Sequence, residues 1–61
     1  MREMTDYIIT ADFGGDKIMT LTWPAYRQEE LFETDGPATA FLRAVWVEGD
    51  PKRIIIEEVS P

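Results

Sequence analysis

The sequence contains no cysteine and no histidine. Those absences exclude a disulfide framework, a zinc site built on Cys or His, a thiol nucleophile and an imidazole general base. Positive charge is scarce too: six Lys or Arg stand against twelve Asp or Glu, for a formal net charge of −6. Proteins that grip the phosphate backbone show the opposite surplus, so no direct nucleic-acid binding is expected. No apolar run approaches the roughly 20 residues that span a bilayer. The opening Met1-Arg2-Glu3-Met4-Thr5-Asp6 has no hydrophobic stretch of signal-peptide type. The expectation is a cytoplasmic protein with no membrane partner and no cofactor, and Met1 reads as the native start of a short gene.

What is present fits a single small acidic domain over residues 1–61. Hydrophobic residues make up 44 % of the chain, with two Trp, three Phe and two Tyr, which is too apolar for a disordered acidic tail. A chain of this length buries only about 60 % of its unfolded surface, so large side chains have to close the core.

The local pattern predicts an N-terminal hairpin. From Tyr7 to Phe13 the residues alternate, with Tyr7, Ile9, Ala11 and Phe13 on one face and Asp6, Ile8, Thr10 and Asp12 on the other. Gly14-Gly15-Asp16-Lys17 supplies the turn, since glycine accepts the positive φ that tight hairpins need. Alternation resumes from Ile18 to Trp23, with Met19, Leu21 and Trp23 opposite Ile18, Thr20 and Thr22, and Pro24 is expected to end the strand. Residues 25–35 fit either a short helix or a loop leading to a strand around Leu31-Phe32-Glu33-Thr34; the early start of the next element favours loop and strand.

That next element is punctuated as a helix. Asp35 or Gly36 caps it, Pro37 suits its first turn, and Ala38, Phe41, Leu42 and Val45 recur at i, i+3, i+4, i+7. Gly49 and Pro51 give the stop. A strand over Ala44–Val47 paired to Ile54–Ile56 is the competing reading, and the stop signal favours the helix. Arg53–Val59, rich in β-branched residues, reads as a final strand before Ser60-Pro61. The fold class is therefore α+β: an antiparallel sheet of three or four strands, an N-terminal hairpin plus a C-terminal strand, with one helix packed on one face. The uncovered face should carry Ile8, Ile18 and an isoleucine of the last strand as an apolar patch suited to a partner or a second copy.

Catalytic parts are few. Carboxylates, Ser60, threonines, Lys17, Lys52 and two tyrosines remain, and so thin a domain rarely encloses a substrate-sized cavity. Asp12-Phe13-Gly14 matches the magnesium-binding tripeptide of protein kinases but stands without any other kinase element. Asp12 and Asp16 around two glycines lack the alternating ligands and final Glu of a calcium loop. No catalytic, cofactor-binding or metal-ligating residue is assigned, and the chain is read as a non-enzyme.

The carboxylates are clustered. Glu29, Glu30, Glu33 and Asp35 fall within seven residues, Glu57 and Glu58 end the last strand, and Asp6 and Asp12 mark the outer face of the first. Residues two apart on a strand sit roughly 6.6 Å from each other, a repeat of the same order as neighbouring phosphates. Solubility alone accounts for many such surfaces, yet the sparse basic residues favour a binding role. Among the aromatics, Trp46 is expected in the core, whereas Tyr26 fits core and exposed anchor equally. The candidate partner-binding residues are Asp6, Asp12, Tyr26, Glu29, Glu30, Glu33, Asp35, Glu57 and Glu58.

In size, in its lack of Cys and His, and in those acidic clusters, the chain resembles the small acidic phage-encoded inhibitors that include many anti-CRISPR proteins. That resemblance implies a nucleic-acid mimic in the host cytoplasm, which blocks DNA binding by a basic protein such as a CRISPR effector subunit and is itself a monomer or a homodimer. A second likeness covers roughly Tyr7 to Val47. The hairpin ending in Trp23-Pro24, followed by Thr34-Asp35-Gly36 and an Ala-rich helix, is similar to the small domain of HicB-type antitoxins. It lacks their Pro-Gly loop pattern and their DNA-binding segment. This likeness implies a protein-interaction module that binds through a sheet edge or an aromatic anchor.

Overall fold

The computed structural model of the chain describes residues 3–59. The element order is β1 (Thr5–Gly14), β2 (Lys17–Ala25), α1 (Gln28–Leu31), α2 (Pro37–Glu48) and β3 (Arg53–Val59). The strands form an antiparallel sheet in the order β2-β1-β3, so β1 is central. The α+β class, the hairpin, the C-terminal strand and the helix over 37–48 are as the sequence predicts. No helix among the described residues is long and apolar enough to cross a membrane.

Register fixes the two faces of the sheet. Tyr7 lies between Trp23 and Glu58, Ile9 between Leu21 and Ile56, and Ala11 between Met19 and Ile54. This is the covered face: Tyr7, Ile9, Ala25, Leu31 and Ala38 form the buried cluster, with Leu21, Phe41 and Ile56 packed against it. On the open face Ile8 lies between Thr22 and Glu57, whereas Ile18 sits across from Asp12 at the hairpin end. The Thr10–Thr20 row separates the two isoleucines, so the expected patch breaks up: Ile8 has Ile55 as its diagonal neighbour, and Ile18 stands apart.

Three local readings need correction. β2 does not stop at Pro24 but runs through it to Ala25, with Pro24 across from Asp6. An edge strand tolerates proline because a missing N–H on its free side removes no ladder bond. Residues 28–31 form one helical turn rather than a loop and strand. The Glu30 carboxylate reaches back to accept the N–H groups of Tyr26 at 2.7 Å and Arg27 at 2.8 Å, which satisfies two donors otherwise orphaned at the turn's start. Trp46 is not core: it is 56 % exposed, because it lies about 100° around the helix from buried Val45.

At the hairpin, Gly14 and Gly15 adopt φ of 95° and 60°. The start of α2 depends on close approach instead. Gly36 is its N-cap, with no side-chain cap bond, and a Cβ there would collide with the carbonyl of Leu31. Glycine lets the connection fold tightly over the end of α1, which seats Ala38 in the core. Replacing Gly36 with Ala must push α2 off α1, and overpacking of this kind costs about 1–3 kcal/mol. Chemical denaturation of Gly36→Ala should show that loss, and stability equal to the parent would contradict the close approach.

Candidate functional site

The carboxylates are distributed unevenly over the two ends of the sheet. At the end holding the start of β1 and the close of β3 lie Asp6, Glu57 and Glu58. The chain leaves β2 at the same end, so α1 and the α1–α2 connection add Glu29, Glu30, Glu33 and Asp35. Seven of the twelve carboxylates are therefore grouped there, and Arg27 is the one basic residue beside them among the described residues. The hairpin end mixes signs: Lys17 pairs with Glu48 at 3.3 Å and Arg53 with Asp12 at 3.3 Å. Lys17 also stands 5.2 Å from the centre of the Phe13 ring, within cation–π range.

Tyr7 marks where the acidic segments converge. Its side chain is buried beneath α1. Burial holds its hydroxyl above the ordinary 10.0, and the charges of Glu58, Glu29 and Glu30 push the same way, against the backbone N–H of Gln28. Glu58 is its cross-strand partner, and Glu29 and Glu30 come from the first turn of α1. Residues far apart in the chain are thus close enough for their charges to act on one phenol. Beyond α1, a shallow hollow is lined by Glu30, Glu33, Thr34, Asp35, Gly36 and Pro37.

The structure thus places eight of the nine residues singled out from sequence at one end of the sheet, with Asp6 and Glu57 on its open face and Glu58 on the helix side beside α1. Asp6, Glu29, Glu33, Asp35, Glu57 and Glu58 are exposed, as is Tyr26 at the exit of β2. Glu30 is half-buried and holds α1 in place, so its role is at least partly structural. Asp12 lies apart, six residues along β1 from Asp6, or about 20 Å. Its carboxylate accepts the Gly14 N–H at 2.8 Å and pairs with Arg53, which fixes the turn. Sequence reasoning missed Tyr7 as the meeting point, because its alternation marks only a core face and the pairing with Glu58 depends on long-range register. Among the described residues no group of three or more Asp or Glu is arranged to hold a metal ion. Comparison with family models, curated proteins and solved structures finds no match to this chain.

The sign of the Tyr7 effect gives a test. A hydroxyl raised in the folded state stays neutral there while the unfolded chain ionises. Its contribution to stability is complete below pH 10.0 and falls as pH rises through the folded-state value. In a Tyr26→Phe background, absorbance titration should place the remaining tyrosine above 10.0. Adding Glu29→Gln and Glu58→Gln should lower that midpoint, and an unmoved midpoint would show that the carboxylates do not act on Tyr7.

Proposed function

We propose that this chain is a non-catalytic acidic binding domain that occupies a basic, nucleic-acid-binding groove on another protein and so excludes nucleic acid from it. The observation that carries this reading is the segregation of charge: among the described residues, seven carboxylates at one end stand beside one arginine, Arg27. Solubility alone requires charge but no such grouping. Carboxylates within a Debye length of about 8 Å at physiological salt add their fields, steer a cationic groove towards this end and weaken together as salt rises. The likeness to anti-CRISPR proteins brings forward the DNA channel of a CRISPR effector as the partner.

A second reading, an antitoxin-like or other protein-interaction module, is favoured by the exposed aromatics. Trp23 and Tyr26 are each 47 % exposed, and Trp46 more so, and such rings commonly anchor protein interfaces. Binding of that kind tolerates salt and fails when Tyr26 or Trp46 is truncated.

The test is competition for DNA. The chain is added to a panel of CRISPR effector complexes, and target-DNA binding is read by gel mobility shift. The parent should block binding by a susceptible effector, and Glu29→Lys/Glu33→Lys/Asp35→Lys should lose that block while keeping its circular dichroism. These positions leave the Glu30 cap intact. Undiminished inhibition by the folded triple variant, or DNA binding untouched by the parent across the panel, overturns the acidic-groove reading.

A further inference from the structure

The outer edge of β3 is guarded by charged side chains alone. The sheet order leaves it unpaired among the described residues. Edge strands are usually blunted by charged side chains, a proline, a bulge or a covering element; β3 has the first alone, and its charges are of both signs. β2, the other edge, contains Pro24 and lies against both helices. β3 contains no proline, and it pairs with β1 in unbroken register from Asp6↔Val59 to Asp12↔Arg53. Ile54 on its covered face remains 38 % exposed, although this is the helix side of the sheet.

The order of residues along this edge carries the inference. Lys52-Arg53-Ile54-Ile55-Ile56-Glu57-Glu58 runs from two cations through three isoleucines to two anions. Reversed and laid beside itself, the segment complements itself. An antiparallel copy centred on Ile55 sets Lys52 opposite Glu58 and Arg53 opposite Glu57, with Ile54 opposite Ile56 and Ile55 opposite Ile55. Opposite charges directly across strands attract, and the facing isoleucines take apolar surface out of water. The two-fold axis supplies every pair twice except the central one.

We propose that two copies of this chain pair through β3, antiparallel about Ile55, to form one continuous sheet with both α2 helices on the same face. Residue parity supports the arrangement. Lys52, Ile54, Ile56 and Glu58 alternate with Arg53, Ile55 and Glu57, so the pairing keeps helix-side residues opposite helix-side residues. Ile54 then gains Ile56 of the second copy as its neighbour. A net charge of −6 per chain opposes association in general, but the four charged residues of this edge sum to zero, Arg53 being also paired with Asp12 of its own chain. The pairing does not depend on the acidic-groove reading: it engages Glu57 and Glu58 of the acidic end and leaves Asp6, Glu29, Glu33 and Asp35 outside the interface.

Sedimentation equilibrium across micromolar to millimolar chain concentrations provides the test. The parent should move from 7.0 kDa towards twice that mass. Glu57→Lys/Glu58→Lys, whose edge is basic at both ends, and Lys52→Glu/Arg53→Glu, whose edge is acidic at both ends, should each dimerise about tenfold more weakly or worse. Mixed in equal amounts, the two variants should recover a dimer, since their edges complement each other. Circular dichroism confirms that each is folded, and Lys52→Glu with Glu58→Lys, which swaps one pair in place, should dimerise like the parent. A parent that remains at monomer mass throughout, or a dimer that ignores both double variants, overturns the proposal.

Discussion

The packing of Leu31 against Tyr7 and Ile9 holds the rest of the structure in place. Among the described residues the core holds seven buried hydrophobic side chains, three of them alanines, and Leu31 is one of only three large ones fully enclosed. It comes from a helix of a single turn, too short to persist by itself in water. Its stability is therefore tertiary: the Glu30 carboxylate ties down its start, and the apolar side of the sheet holds Leu31. Through Gly36 the same contact sets the entry of α2 and so the position of Ala38. Burying one leucine thus determines where two helices lie.

That constraint also produces the charge distribution. When Leu31 is seated beside Tyr7, Glu29 and Glu30 must stand over the end of the sheet where Glu58 emerges. Like charges so placed repel one another, and the fold tolerates this because most of the carboxylates remain in water. The energetic cost is small for each exposed pair, whereas the combined field on one side of a small domain is large. An elongated slab of about 41 × 25 × 12 Å with one acidic end and one mixed end is a polar object, and its orientation towards a cationic surface follows from that polarity.

Local order was largely legible in the sequence, and long-range placement was not. The alternation from Tyr7 to Phe13, the paired glycines and the Ala38, Phe41, Leu42, Val45 spacing each encode an element within a few residues, and all three formed. Pro24 misled because its effect depends on which side of the strand is free, a property of sheet order rather than of the residue. Leu31 misled because one helical turn has no period to detect. Trp46 departs from the expectation that so small a domain needs its large rings inside, because the helix turns it about 100° away from Val45. For the acidic end, the clusters at 29–35 and 57–58 are visible in the chain, but their convergence on Tyr7 is set by register. Alternation gives Asp12 and Asp6 the same face, and the bonds of Asp12 to the Gly14 N–H and Arg53 at the hairpin end distinguish them.

Mapping backbone amide shifts by NMR while titrating a short arginine-rich peptide tests the polarity of the domain most directly. The account predicts perturbations concentrated at Asp6 and from Glu29 to Asp35, fading together as salt is added, with the hairpin from Gly14 to Lys17 unmoved. Perturbations spread evenly over the surface, or centred on the hairpin, would show that the acidic end is not a binding surface.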